Sequence, residues 1–474
     1  MPKTPDKNIL RAIPSVDSLL ADARVIELRD QHPHFPWTRL FRIVIDEFRT
    51  AYETGQEQKS ADRDSVRDRI IGGIIALFSR LQSGGQCRVI NGTGVILHTN
   101  LGRAILGARL QQAVSTAMSH YVSLEFDLTS GERSKRGQTM LDLISLASGA
   151  EEAMVVNNNA AALYLVVNSC SPPGRVIVSR GELVEIGGSF RLPDILSRAA
   201  GEVVEVGTTN RTYAADYDKA AQPGDLILKV HQSNYEVTGF THEAAIAELV
   251  DVARKKRCFL AYDLGSGAMF DFAKAAIGGE DVVSKIMQSG VDCVTLSGDK
   301  LLGGVQAGII VGSAIFLARL KQNPLRRALR VDKITIAALE ALYRCYLFAE
   351  QPEAEITVLR QAMDSVQELQ ARAGRIVSEL PPKTAAIRCI EVVDDEAAMG
   401  GGSFACEKVP SCAIAIRCAS EKEAVLLSRR MRSHAVPIIS RIKGNEVRIN
   451  MRSVLPQEDN ELTECLAALV EEKS

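Results

Sequence analysis

The sequence predicts an α/β protein built on a mainly parallel sheet, with a small helical domain before it and a compact α+β domain after it. The first observation is a series of β-branched runs at 153–157, 175–179, 202–206, 226–231, 258–263, 292–297 and 306–312, separated by longer helical or loop stretches. Strands spaced this way need crossover connections, which are right-handed and cover both faces of a parallel sheet with helices. The gap between the last two runs is too short for a helix and predicts a hairpin. The second observation is that apolar spacing turns helical on both sides of this region.

In the N-terminal stretch, Pro14-Ser15 reads as a cap before Val16, Leu19 and Leu20, and Leu40, Ile43, Val44 and Phe48 recur at helical intervals. Between them the proline-broken segment His32-Pro33-His34-Phe35-Pro36-Trp37 predicts a turn. A charged, glutamine-containing stretch over 53–68 closes this module, and Ser83-Gly84-Gly85 ends the following helix. After Gln351 one helical face carries Ile356, Leu359, Met363, Val366, Leu369, Ala373 and Leu380. Strands at 385–393, 411–417, 436–442 and 446–451 follow, with a helix near 421–431 and a Gly444-Asn445 turn. The expected division is 1–68, 69–350 and 351–474, without an internal repeat.

A chain of 474 residues with 46% apolar content is large enough for more than one core. Its longest apolar runs, such as 70–78, fall short of a membrane span, and residues 1–8 lack a signal-peptide pattern, so the cytoplasm is the expected location. The net charge of −2 argues against a generic polyanion coat but leaves room for a local, shape-reading RNA site. None of the ten cysteines forms a C-x-x-C pair, and Cys170, Cys258, Cys293 and Cys345 lie in apolar stretches, which favours reduced structural thiols. Cys406, Cys412 and Cys418 recur every six residues, a spacing that does not suit metal ligation, and no metal is expected.

Ligands of an open parallel sheet sit beyond the carboxyl ends of its strands, which directs attention to three sites. In Ser297-Gly298-Asp299-Lys300-Leu301-Leu302-Gly303-Gly304 a lysine leaves a strand among small residues. A neutral amine there can form a Schiff base with an aldehyde cofactor, although taken alone it reads more readily as an exposed turn lysine. Asp263 ends another strand, before Leu264-Gly265-Ser266-Gly267. A carboxylate so placed can keep a pyridine nitrogen protonated, or simply cap the turn. In Asn157-Asn158-Asn159-Ala160-Ala161-Ala162 a strand passes into a helix without bulky side chains, so Asn158, Asn159 and Ala160 present a helix N-terminus suited to phosphate. Phosphate turn, strand-end Asp and strand-end Lys, in that order from one sheet edge, point to pyridoxal 5′-phosphate (PLP) held by Lys300. No Walker loop is present, and Gly92-Thr93-Gly94 lacks the third glycine and preceding strand of a dinucleotide fingerprint.

Over nearly its whole length the chain also resembles the bacterial selenocysteine synthases, the L-seryl-tRNA(Sec) selenium transferases. The resemblance is carried by Ile90-Asn91-Gly92-Thr93-Gly94 through Thr99-Asn100-Leu101-Gly102-Arg103, by the Asn-rich turn, and by Glu185-Ile186-Gly187-Gly188-Ser189-Phe190-Arg191. It continues in Val206-Gly207-Thr208-Thr209-Asn210-Arg211-Thr212, the lysine segment, and Arg327-Ala328-Leu329-Arg330-Val331-Asp332-Lys333. It implies a fold-type-I PLP-dependent transferase with a seven-stranded sheet, converting seryl-tRNA(Sec) to selenocysteinyl-tRNA(Sec) through a PLP-bound aminoacrylyl intermediate, with selenophosphate as donor. Carried over by position, Lys300 is the Schiff-base residue, Asp299 a proton-transfer group, and Arg103, Arg327 and Arg330 hold the anionic selenium species. His231 is open between stacking on the cofactor and satisfying a core hydrogen bond.

The same resemblance makes the N-terminal domain a tRNA grip, with Arg11, Arg24, Arg39, Arg42 and Trp37 as a possible contact face, and implies a homo-oligomer, a ring of dimers. Residues 1–68 hold eleven Lys/Arg against twelve Asp/Glu, so charge alone does not mark the domain as RNA-binding, and helix packing is the competing role. Two other functions compete: a PLP-dependent lyase acting on a small amino-acid or amino-sugar metabolite, and a catalytically dead RNA-binding scaffold.

Overall fold

The computed structural model describes residues 13–54, 63–170, 174–186, 190–232, 235, 237–275, 277–278, 281–380, 387–401 and 408–471. The chain divides into two units, Met1–Arg88 and Val89–Ser474.

In the first unit, Ser15 caps α1 (Val16–Leu20) as its sequence predicts, its hydroxyl accepting from the Ser18 amide. Asp22 does the same for α2 (Ala23–Gln31), accepting from the Arg24 amide at 3.1 Å. Helices α3 (Trp37–Glu53) and α4 (Arg63–Ser83) share a core of Leu40, Phe41, Val44, Ile70, Ile71, Ile74 and Phe78. The expected boundary after residue 68 falls inside α4. The charged side chains of 63–68 occupy its outer face while Val66 and Ile70 stay buried, so a charge-rich stretch here is a helix start and not a linker. Trp37 is 6% exposed, stacks on Phe78 at 4.7 Å and donates its indole N–H to the His32 carbonyl, which removes it from the expected RNA-contact face. Arg24 is paired with Asp22 and Asp68, whereas Arg39 and Arg42 are exposed; Arg11 lies outside the described residues.

The second unit carries the seven-stranded sheet: β1 (Glu152–Val156), β2 (Arg175–Ser179), β3 (Glu202–Val206), β4 (Leu226–Val230), β5 (Phe259–Gly265), β6 (Cys293–Ser297) and β7 (Gly308–Gly312). Their order is β1-β7-β6-β5-β4-β2-β3. Neighbours from β6 through β3 are parallel, and β7 runs antiparallel to both β6 and β1, as the short connection before it requires. Alternate residues enter opposite cores. Ile177, Ile227, Leu260 and Tyr262 join one, with helices α5 (Ala108–Ser119), α6 (Gln138–Ser148) and α8 (Lys333–Phe348), while Val176, Val178, Leu226, Leu228 and Ala261 join the other, with α7 (Asn159–Cys170). Burial on both faces explains why these strands read as continuous apolar runs.

Toward the C-terminus a second sheet, β8 (Ile387–Ala398), β9 (Lys408–Cys418), β10 (Arg441–Lys443) and β11 (Glu446–Asn450), has the order β8-β9-β11-β10. Helices α9 (Val366–Glu379), α10 (Glu421–Arg432) and α11 (Asp459–Glu471) cover it around a core that includes Leu369, Ile414, Ile416, Leu427 and Leu466. The strand expected over 436–442 is split. Ile438–Ile439 pairs in parallel with Ile90–Asn91, and Arg441–Lys443 turns through Gly444, at φ 60°, to pair with β11. All nine described cysteines are free thiols, and no group of three or more His, Cys, Asp or Glu side chains suited to a metal occurs among the described residues.

Candidate active site

Lys300 is brought inward by a turn that only glycine permits. After β6, the Gly298 amide donates to Ala307 O and the Gly304 amide to Gly298 O, both at 2.8 Å, folding 298–307 into a tight loop. A Cβ on Gly298 would stand 2.4 Å from Val305 O, and Gly303 sits at φ 80°. The Leu301 amide donates to Ser266 O at 3.0 Å, joining this loop to the end of β5. Lys300 is left 6% exposed, which separates it from the surface-turn reading.

Asp263 lies one strand away, in register with Thr295 of β6. Its Oδ1 accepts from Asn159 Nδ2 and from Thr295 Oγ1, each at 2.8 Å. Burial pushes the Asp263 carboxyl up, opposed by those two donors and by the positive fields of Lys300 and His231. Just beyond, the ladder is irregular and Gly265 is at φ 67°; a Cβ there would be 4.0 Å from Asn159 Nδ2, Asp263 Oδ1 and Lys300 Nζ alike. Lysine, carboxylate and amide therefore converge on one small volume.

The helix start at 158–160 is held close by a third glycine contact. A Cβ on Gly308 would stand 2.1 Å from Asn158 O, so β7 passes the turn only because it begins with glycine. Asn158 Oδ1 accepts from the Ala161 amide, while the amides of Asn159 and Ala160, in the first turn, have no intrahelical acceptor. Sequence reasoning assigns Asn159 to a phosphate turn; its side chain in fact reaches Asp263, which residue identity and spacing did not reveal.

Lining the same cavity, Arg103 Nη1 pairs with Asp299 Oδ2 at 2.8 Å. Arg103 takes up left-handed backbone, φ 64°, directly after Gly102 at φ 95°, and its Nε is buried without a hydrogen-bond partner. A non-glycine residue in that conformation is held by its surroundings: the Arg103 amide donates to His98 O and the Ala104 amide to Asp299 O.

Together Arg103, Asn158, Asn159, Ala160, Leu163, Asp263, Ser297, Asp299, Lys300 and Gln306 line a cavity of about 300 Å³. Seven of the expected site residues thus line one cavity, and Ser297, Gln306 and Leu163 are added to them. His231, Arg327 and Arg330 are not among them. His231 follows β4 and its amide donates to Asp263 O at 2.9 Å. Arg330 forms an isolated bridge with Val156, and the Asn157 amide donates to Leu329 O, so the arginine segment borders the helix start with both guanidinium groups exposed. The missed Thr295 did carry a signal: it is the polar residue inside an apolar strand, two positions before that strand ends.

The donor set fits a pyridoxal group. A buried amine and a buried carboxylate face one cavity beside a helix N-terminus, and the Asn159 Oδ1 and Arg103 Nε atoms on its wall lack partners. The site could thus bind an aldehyde carbon, a ring nitrogen and an anion at three separate places.

Comparison with known proteins agrees. The family described as L-seryl-tRNA selenium transferase matches residues 89–455, and that described as Selenocysteine synthase N terminal matches residues 10–49. The L-seryl-tRNA(Sec) selenium transferase of Alkaliphilus oremlandii (strain OhILAs) is 40% identical over 455 residues, covering 95% of this chain and 96% of that protein. That of Rhizobium meliloti (strain 1021) is 41% identical over 448 residues, 94% of each. Among solved structures, D-glucosaminate-6-phosphate ammonia-lyase superposes with a TM-score of 0.57 at 19% identity, covering 82% of this chain and 97% of the other, a likeness of fold alone. On this sequence coverage, the chain belongs to the L-seryl-tRNA selenium transferase family.

Proposed function

We propose that this chain is an L-seryl-tRNA(Sec) selenium transferase: it replaces the hydroxyl of serine esterified to tRNA(Sec) with selenium taken from selenophosphate, using PLP. The observation that carries this reading is the burial of Lys300 and Asp263 on one cavity, in a chain related to selenium transferases over almost all of its length. When bound, PLP supplies an aldehyde carbon for an amine and an electron sink for negative charge at the serine α-carbon.

The chain's own residues then divide the work. Lys300 would hold the cofactor, and its amine is placed to move the α-proton. Asp263 keeps a proton on the ring nitrogen, and Asn158, Asn159 and Ala160 receive the phosphate at the start of α7. Asp299 would pass on to the departing β-hydroxyl the proton that leaves the α-carbon, so that elimination removes water. Arg103, which touches Asp299, holds the anionic selenium donor with Arg327 and Arg330, whose side chains form no ion pair among the described residues. His231 braces the Asp263 strand end through its backbone.

The N-terminal unit serves tRNA binding in this reading, with the exposed Arg39 and Arg42 on its α3 surface. An enzyme for a free amino acid or amino sugar has no evident use for such a unit. A cytoplasmic homo-oligomer, a ring of dimers, completes the proposal; no described helix is long and apolar enough to cross a membrane. The test is conversion of seryl-tRNA(Sec) by the PLP-loaded protein with selenophosphate, against ordinary seryl-tRNA. Selenocysteine should form on tRNA(Sec) only, and Lys300→Ala should lose both product and the near-visible absorbance band. Wild-type protein that takes up no PLP, or that turns over a free amino sugar and ignores seryl-tRNA(Sec), would overturn the reading.

A further inference from the structure

Asp263 is held from one side only. Thr295 and Asn159 come from different elements, β6 and α7, yet both donate to Oδ1, at 2.8 Å each. No hydrogen bond to Oδ2 is found among the described residues. Thr295 is 1% exposed, has one hydroxyl proton, and gives it to this carboxylate from the strand position paired with Asp263. A carboxylate needs its charge and its plane fixed if it is to meet a protonated ring nitrogen. Two donors on one oxygen provide both: they stabilise the ionised form, which burial disfavours, and they fix the rotation of the group, leaving the second oxygen as the acceptor.

We propose that Thr295 is a positioning residue for the cofactor, acting with Asn159 through Asp263 Oδ1 so that Oδ2 faces the pyridine nitrogen. The inference rests on the PLP reading and goes beyond it in assigning a residue that touches neither cofactor nor substrate. Its competitor is a purely structural role, in which the hydroxyl only satisfies a buried acid.

The two are separated by Thr295→Val, which keeps the shape and removes the donor, and by Thr295→Ser, which keeps the donor. A hydrogen bond to a charged group contributes enough that its loss weakens PLP binding on the order of tenfold. Affinity should also fall at higher pH than in the wild type, because losing a donor raises the carboxyl pKa and the site then loses its charge earlier as pH falls. The groups facing Asp263 that share this titration are Lys300 beyond β6, His231 beyond β4 and, on β6, the Cys293 thiol; none is altered by the substitution. The measurements are the PLP dissociation constant across pH, by titration of apoprotein, and the melting temperature of the apoprotein.

Weakened PLP binding in Thr295→Val, with its loss on acidification moved to higher pH, and near wild-type behaviour in Thr295→Ser is the expected result. A lower apoprotein melting temperature with unchanged PLP affinity would overturn the proposal, as would equal losses in both variants. Should Thr295→Val not fold, Asn159→Ala removes the other donor to the same oxygen and must show the same shift of affinity loss to higher pH. Wild-type protein failing to bind PLP would instead refute the underlying reading.

Discussion

Lys229→Met isolates a buried charge pair whose removal has a calculable and pH-dependent cost. Lys229 Nζ sits 3.0 Å from Glu182 Oε1 and 3.4 Å from Glu243 Oε2, and Glu182 Oε2 accepts the Val230 amide at 2.9 Å. The lysine and Glu182 side chains are 10% and 4% exposed, so solvent screens this pair little, whereas Glu243 is half-exposed. Burial pushes the Glu182 carboxyl up, and Lys229 is the main counterweight. Methionine keeps the stem and removes the charge, leaving Glu182 two courses. It can remain ionised without its partner, which costs roughly 3–5 kcal/mol, or it can take up a proton. From an ordinary carboxyl value of 4.5, protonation at pH 7 costs roughly 3.5 kcal/mol, at about 1.4 kcal/mol per unit. The cheaper course sets the limit. The variant should therefore be up to about 3.5 kcal/mol less stable at pH 7 and within about 1 kcal/mol of the wild type at pH 5.

The sign follows from linkage: with its folded pKa raised above the unfolded one, Glu182 binds a proton on folding, so the variant recovers stability as pH falls. Urea unfolding of the apoprotein, followed by far-UV circular dichroism at pH 5, 6 and 7, measures this. The single tryptophan, Trp37, is unsuitable because it belongs to the other unit. A deficit that stays constant from pH 7 to pH 5 would refute the reasoning, and adding Glu182→Gln to the variant should abolish the pH dependence. The pair also supports the site. Gly181 O, next to Glu182, accepts from Gln232 Nε2 and Tyr235 Oη, on the segment that follows His231.

Two further predictions concern the N-terminal unit. Asp22→Ala removes the α2 cap and both arginine partners; the unit should lose about 1 kcal/mol, read by Trp37 fluorescence during unfolding. Arg24 holds the Asp22 carboxyl below its ordinary 3.8, so this contribution is present above about pH 4 and disappears as pH falls through the lower folded value. Deleting residues 1–88 should abolish tRNA(Sec) binding while leaving PLP uptake and its absorbance band intact; a gel-shift assay showing undiminished binding would remove the RNA role from this unit.

Much of this protein was legible in one dimension because the responsible physics is local. Strands of a sheet covered on both faces are short and β-branched, crossovers need length, and a short gap must become a hairpin, so sheet composition and the direction of β7 followed from spacing. Lys300, Asp263 and Asn158 were identifiable because strand ends of a parallel sheet converge on one edge whatever the sequence between them. The family segments added Arg103 and Asp299, which spacing alone could not have joined across almost two hundred positions.

What only the tertiary structure decided depends on side-chain direction and on which distant atoms meet. The Asn159 side chain could have faced a phosphate or a carboxylate, and it faces Asp263 because β5 lies under the start of α7. Thr295 looked like one more β-branched strand residue until register placed it opposite Asp263. Trp37 read as an exposed aromatic in a polar turn, yet Phe78, forty residues on, buries it. Composition and period state what each residue prefers; only the folded chain determines its neighbour, and at buried polar atoms the neighbour sets charge, orientation and chemistry.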